Sequence, residues 1–463
     1  MPASASVTAK VGAKGPVLFG TLAALLVLAP LFRGGNRPLP LLLLEGLALL
    51  GLVAYVISHS EGEPWLPHAA PLRWALGLLL AYPLLQLVPL PFSVWSALPG
   101  HEPYVRVLAQ LGEAPGARPL SIHPIATEFA WLALLPCVAA FALVAQLGRR
   151  QVRALVMIFV GVALAEAVLG ILQTGVGRDS ILHLGNRFAG SGATGTYVNR
   201  NHFGGLMAMA LPILVAVWAA ETLPTRDASG EILRGHPRHA DARLARRIAW
   251  SLAVALALAA LLFSRSRAAI GFGLAAFGAT SLALVWSAAT VRVRIALGVV
   301  ASVAFLLAAY AGLTPIVERF SPDDLSLGYE GRLRLAGTAL RAGLDFLPFG
   351  SGLGTFGDVF QRYQGVNLVG YVDHAHNDYA EAFVDLGVAG IGVIVLMAFA
   401  VLARWAAIAR GHVSRSLGML QVAAGFSVLA LAAHGAFDFN FHIPANAIYF
   451  AFLAGVFFYE PRN

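Results

Sequence analysis

The chain has 463 residues, of which 58% are hydrophobic and only 12% charged, with a net charge of +8 and a mean hydropathy of +0.73. A soluble domain carries about 25% charge, so the composition excludes an ordinary globular protein and fits a polytopic membrane protein. The single cysteine, Cys137, excludes an intrachain disulfide and, lying in an apolar run, reads as a small buried residue.

Lys10 and Lys14 are the only lysines among the 32 Lys and Arg residues. Arginine suits bidentate binding of phosphate or carboxylate. The arginines are scattered between apolar runs rather than gathered on one soluble face. That argues against a nucleic-acid partner and leaves membrane lipids as the surroundings.

In chain order, residues 1–16 are small and polar, and Val17–Phe32 is apolar. No small-x-small cleavage site follows, so a retained first helix is expected. Further spans are expected near 38–57, 71–90, 128–147, 151–173, 203–221, 247–263, 268–287, 293–313, 379–403, 417–436 and 444–459. The expectation is an all-α polytopic membrane protein of about twelve transmembrane helices, forming a single integral membrane domain over 1–463. Pro83, Pro136 and Pro212 fall inside spans, which is tolerable where neighbouring helices satisfy the backbone.

With the N-terminus cytoplasmic, Arg149, Arg150, Arg153, Arg246, Arg247, Arg404 and Arg410 fall on the cytoplasmic side, as the positive-inside rule expects. An even helix count puts both termini there. Arg187, Arg200, Arg265, Arg267, Arg332 and Arg334 fall on the outer side, against that bias, so outer chemistry is expected to use them. Outer segments lie at 91–127, 174–202 and, largest, 314–377. Within the last, Gly331–Phe346 predicts a helix with Arg334 and Arg341 on one face. The following Pro348–Gly354 is turn-rich, and its glycines would let backbone amides approach a phosphate.

The large segment ends in Asp373-His-Ala-His-Asn-Asp-Tyr379. Asp378 with Glu381 reads as a capping box, which starts a helix. Asp378, Glu381 and Asp385 share a helical face, and Asp385 falls inside the expected span, where a carboxylate is expensive and suggests a site. His376 sits just outside a helix N-terminus, a place that favours anions. As a neutral imidazole it can take a proton from a hydroxyl. His374 reads as its exposed neighbour. Asp373, His374, His376 and Asp378 alternate as metal ligands in an extended chain would, but no His-x-x-x-His pair or cysteine supports them, so no metal is expected. Asp438, Asn440 and His442 also alternate, in the last outer turn, where they read as an acceptor site or as helix caps.

Several of these stretches resemble the O-antigen ligase and polymerase superfamily. His376-Asn377, nine residues, then Gly387-x-x-Gly390 resembles its histidine signature. Arg187-Phe-Ala-Gly leading to Tyr197-Val-Asn-Arg-Asn-His-Phe203 resembles its Arg…Gly…Asn-Pro-Asn segment, with Arg200 in place of proline. Ser264-Arg-Ser-Arg267-Ala resembles its Ser-Arg-Gly/Ala motif. Arg332 to Phe356 resembles its arginine helix and glycine turn, and His434-Gly-Ala-Phe-Asp438 to Pro444 its final outer turn. The resemblance covers residues 185–460.

It implies a bacterial inner-membrane glycosyltransferase with a C-type fold and a large periplasmic loop containing short helices. Such enzymes pass a glycan from undecaprenyl pyrophosphate to an acceptor hydroxyl at the periplasmic face, with inversion and without metal or other cofactor. The acceptor is a lipid A core sugar in ligases, a growing polysaccharide in polymerases and a protein side chain in oligosaccharyltransferases. On this reading His376 is the base, with Arg267 and Arg187 as catalytic arginines. Arg332, Arg334, Arg265, Asn377, Arg200, His202 and Asp438 bind substrate, and Asn377 or a nearby carboxylate orients His376. A flippase or solute transporter is the alternative from another class; it requires polar residues deep in the bilayer, as Glu45, Glu166 and Asp385 would be.

Overall fold

A computed structural model describes residues 3–58, 70–177, 179–186, 192–222, 240–286, 322–365, 370–411 and 417–460. The expected span at 293–313 and the candidate Arg187 lie outside the described residues. Among the described residues the fold is all-α, apart from one short antiparallel pairing of Pro89–Leu90 with Arg118–Pro119.

Among the described residues, eight helices are long and apolar enough to cross a membrane: Pro38–Ile57, Pro124–Val144, Arg149–Thr174, Arg200–Thr222, Asp241–Phe263, Arg267–Leu284, Val388–Ala409 and Gly418–Gly435. Two shorter apolar helices, Gly15–Leu31 and Pro444–Phe457, accompany them. The protein is therefore an all-α polytopic membrane protein.

Arg200–Thr222 is the central helix. It is apolar on every side, which suits only a helix surrounded by others. Almost its whole length is buried against Ala240–Phe263, Arg267–Ser281 and Gly418–Gly435. Small residues allow this close approach: a Cβ on Gly204 would meet Ala269 Cβ at 2.6 Å. Ser427 donates to the Met209 carbonyl from the neighbouring helix, a polar tie across an apolar contact.

A second, smaller core lies outside the main one. It comprises Leu335, Ala339, Ala342 and Phe346, then Phe356, Val359 and Phe360, and finally Ala375, Ala380 and Val384. The helix predicted over 331–346 is there and starts earlier, as Pro322–Asp345. Asp378–Leu386 packs on it. Ala375, fully buried in this core, pins the chain between His374 and His376.

Two sequence expectations are corrected here. The run expected as one span over 379–403 is broken at Gly387, whose φ of 56° and ψ of −132° end one helix and begin Val388–Ala409. Asp385 therefore precedes the membrane-length helix. The Pro348–Gly354 turn does not hold its amides out for a phosphate. Ser351 N–H donates to the Val384 carbonyl, Gly352 N–H to the Asp385 carbonyl, and Gly354 N–H to Asp385 Oδ2 at 2.6 Å. The turn clasps the end of Asp378–Leu386, and a Cβ at Gly350 would come within 2.4 Å of the Asp385 carbonyl. Burial and the nearby Glu381 charge push the Asp385 carboxyl well above its usual range, while the Gly354 and Phe356 amides oppose the shift.

Candidate active site

The first element of the site is the turn before Asp378–Leu386. Its N-cap is Asn377, whose side chain accepts from the Tyr379 and Ala380 amides. This corrects the capping box expected at Asp378 and Glu381, and it commits Asn377 to the helix rather than to the histidine ring. His376 precedes the cap with φ 49°, a left-handed conformation that a non-glycine residue adopts only when its surroundings impose it.

The second element is the turn after Gly418–Gly435. Asp438 there is fully buried and gathers four side-chain partners. Oδ1 lies 3.2 Å from His376 Nδ1 and 3.7 Å from His202 Nε2. Oδ2 accepts from Asn201 Nδ2 and pairs with Arg332 Nη2 at 3.5 Å. Arg332 also donates to the Phe437 carbonyl at 2.7 Å, so it fixes the turn as well as the charge. Burial alone would raise the Asp438 carboxyl, but the adjacent His202 and His376 imidazoles and the Arg332 charge outweigh it. The group is held well below the usual carboxylate range. An ionised Asp438 accepts a hydrogen bond from His376 Nδ1–H, which leaves the lone pair on Nε2. The ring of Phe439 organises the histidines: it stacks on His374 at 4.2 Å and meets His202 and His376 edge-on at 4.7 and 4.9 Å.

A cavity of about 430 Å³ opens beside this ring. Arg33, Arg37, Arg200, His202, His374 and Phe439 are among its lining residues. Its far wall is the loop of Thr194, Tyr197, Val198 and Asn199. Two buried side chains of Arg149–Thr174 hold that loop. Glu166 accepts from the Thr196 amide at 2.9 Å and hydroxyl at 2.8 Å, and Gln173 donates to the Gly195 carbonyl at 2.7 Å. Glu166, deep in a helix, is thus engaged in shaping the cavity wall. Arg33 and Arg37 were not among the residues singled out by sequence; they follow the first helix, and only the fold brings them to His202 and His374. The signal was their position: Arg33-Gly-Gly-Asn-Arg37 directly follows the first apolar run.

His376, Asp438, His202 and Arg332 thus form one cluster, with Arg200 on the adjoining cavity wall. Arg267 and Arg265 stand at the tip of the hairpin between Ala240–Phe263 and Arg267–Ser281. That tip is tied to the loop at 192–199 through Ala193 N–H on the Phe263 carbonyl. Arg334 is exposed on Pro322–Asp345, near Arg332 in sequence but on another face.

A further group surrounds Glu381, which is buried. Its Oε1 lies 2.9 Å from His374 Nδ1 and 3.1 Å from His442 Nε2, and Oε2 accepts from the Ala375 amide at 3.0 Å. His442 Nδ1 lies 2.9 Å from Asp378 Oδ1. Burial pulls the His442 imidazole down, but Glu381 and Asp378 outweigh it and push it up to about 10. His374 is therefore a bonded, mostly buried side chain rather than the exposed neighbour expected. The alternating Asp373, His374, His376 and Asp378 do not converge. His376 turns to Asp438, whereas the donor atoms of His374, Glu381 and His442 lie within 4.8 Å of one another.

Residues 252–395 match a family model described as O-Antigen ligase. This segment holds Arg267, Arg332, Arg334, His376, Glu381 and Asp385, while His202, Asp438 and His442 come from outside it. No curated protein matches the chain. That matched segment, set in a helical polytopic membrane protein, is what the chain has in common with the O-antigen ligase family.

Proposed function

We propose that the protein is an inverting glycosyltransferase that moves a glycan from undecaprenyl pyrophosphate to an acceptor hydroxyl. The observation that carries this reading is the His376–Asp438 pair, 3.2 Å apart, beside an arginine-lined cavity of about 430 Å³. Asp438 holds the Nδ1 proton, so His376 Nε2 removes the acceptor proton as its oxygen bonds to the anomeric carbon. The bond from that carbon to the pyrophosphate oxygen breaks on the opposite face, and the lipid pyrophosphate leaves. Arginines stabilise the charge that grows on the leaving oxygen. Arg33, Arg37 and Arg200 on the cavity wall are assigned to the pyrophosphate, with Arg187, Arg265, Arg267 and Arg334 as further donors. Arg332 acts on Asp438. The reacting atoms need no metal in this scheme.

The same reading sets the protein in the bacterial inner membrane, with both termini in the cytoplasm. Residues 91–127, 174–202 and 314–377 are then periplasmic. Arg149 and Arg150 support this orientation, since the helix they open ends at the loop that walls the cavity. A flippase is disfavoured because Glu166 is bonded to that loop and Asp385 lies outside the spanning helix. The acceptor is a lipid A core sugar or a growing polysaccharide. The test is product analysis after supplying the purified protein with an undecaprenyl-pyrophosphate glycan. Transfer to lipid A core identifies a ligase, longer lipid-linked chains a polymerase and glycosylated protein an oligosaccharyltransferase; failure to form any of the three overturns the reading.

A further inference from the structure

Glu381 presents a single oxygen to two imidazoles that come from different parts of the fold. His374 lies on the turn before Asp378–Leu386, and His442 lies in the short helix Asn440–His442, 68 residues on. Their donor atoms and Glu381 Oε1 are mutually within 4.8 Å, and the two rings are 4.9 Å apart between centroids. Each of the three donors is already aimed. The Ala375 amide holds Glu381 Oε2 and so turns Oε1 inward. Asp378 Oδ1 faces His442 Nδ1, which directs Nε2 at Glu381. The Phe439 ring, stacked 15° from parallel, fixes the plane of His374.

We infer that His374 Nδ1, His442 Nε2 and Glu381 Oε1 form a binding site for a zinc-like divalent cation, with Asp378 orienting His442 from behind. Two imidazole nitrogens and one carboxylate are a donor set that such ions favour, and a carboxylate behind a ligating histidine is the usual outer support. Ligand distances of about 2.0–2.2 Å set donor atoms about 3.3 Å apart, so the 2.9 and 3.1 Å contacts of Glu381 widen by a few tenths of an ångström and the two imidazole nitrogens, now within 4.8 Å, close on the ion. His374 and His442 retain partial exposure, so an ion can enter from solvent. Water completes the coordination. The ion is not assigned to the reacting atoms. It ties the turn carrying His376 to the turn carrying Asp438, and so holds the two members of the catalytic pair in register.

The competing arrangement is a proton: a charged His442 bridging Asp378 and Glu381. The two are separated by metal binding on the full chain in detergent, without a polyhistidine tag, after chelator treatment and dialysis. The site predicts that cobalt(II) binds at about one ion per chain, gives the intense visible absorption of a tetrahedral N and O site, and is displaced by zinc. Asp378→Asn should weaken cobalt binding about 10–100-fold while the spectrum keeps its shape. His442→Ala should lose the spectrum; because that variant removes a buried contact, zinc-dependent change in melting temperature is read beside it. Zinc should raise the melting temperature of the parent chain and leave that of His442→Ala unmoved. Absence of stoichiometric cobalt, or an equal zinc effect on parent and variant, overturns the site. Glycan transfer is not the readout, so this result stands apart from the functional reading.

Discussion

Asp438 Oδ1 lies 3.2 Å from His376 Nδ1, although 62 residues and a complete pair of membrane helices separate them. The contact joins two turns at the same end of the bundle, and it sets which nitrogen of His376 faces outward. The carboxylate is fully buried, which is costly unless it is paired. Asn201, His202, His376 and Arg332 supply that pairing.

Replacing His376 with alanine should remove general-base catalysis, about 10²–10⁴ in rate, and leave membrane insertion and melting temperature near those of the parent. The check is single-turnover glycan transfer with a saturating lipid-linked donor. Transfer within threefold of the parent rate would remove His376 from the mechanism.

Asp438→Asn should lower the rate by a similar factor with little change in donor KM, because the ring is lost as an oriented base rather than as a binding group. The same variant tests a pH effect. The carboxyl of Asp438 is depressed in the folded protein below its unfolded value of about 3.9. In the interval between those values the unfolded chain binds more protons, so stability rises with pH. The contribution is complete above about pH 4 and is lost as pH falls through the folded value. The difference in melting temperature between the parent and Asp438→Asn should stay constant from neutral pH down to about 4, then shrink in stronger acid.

Gly195→Ala should destabilise the protein by about 1–3 kcal/mol. Gly195 has φ +56°, and a Cβ there would lie 2.1 Å from Glu166 Oε2, the oxygen that accepts the Thr196 amide. The added methyl must either break that bond or push the loop into the cavity. Thermal unfolding in detergent measures the loss. An unchanged melting temperature would mean that the loop at 192–199 is not held as tightly as its bonds imply.

The elements were readable because they are local. Apolar length marked the membrane helices, and the 3.6-residue period marked the helix over 331–346. What the sequence did not reveal depends on distant neighbours. Gly387 ends a helix because its backbone packs on Pro348, where a Cβ would meet the carbonyl at 2.3 Å. Composition around it reads as one apolar run. The glycines of 350–354 carry the signature of a phosphate loop, but the Phe346 carbonyl takes the Gly350 amide, and the carbonyl and carboxylate of Asp385 take those of Gly352 and Gly354. His374 looked like a loop residue because Glu381 and Phe439, its partners, are supplied by the helix after it and by a turn 65 residues away. Periodicity reports which face a residue occupies; it does not report what meets that face.

Arg332→Lys should impair transfer through Asp438 rather than through the donor. The guanidinium reaches the Phe437 carbonyl with Nη1 and Asp438 Oδ2 with Nη2, two acceptors on one turn. An ammonium keeps the charge but cannot span both with a fixed fork. The expected outcome is a fall in kcat of about tenfold or more, with the donor KM nearly unchanged. Arg37→Ala should do the reverse. Arg37 lines the cavity, stands away from the His376–Asp438 pair and is exposed, so its loss should raise the donor KM and spare kcat at saturation. The contrast is the useful measurement, because a general loss of fold would lower both parameters in both variants. If Arg37→Ala reduced kcat and left KM alone, the cavity would not be where the lipid pyrophosphate binds. The arginines at the tip of the hairpin, Arg265 and Arg267, would then have to hold it instead.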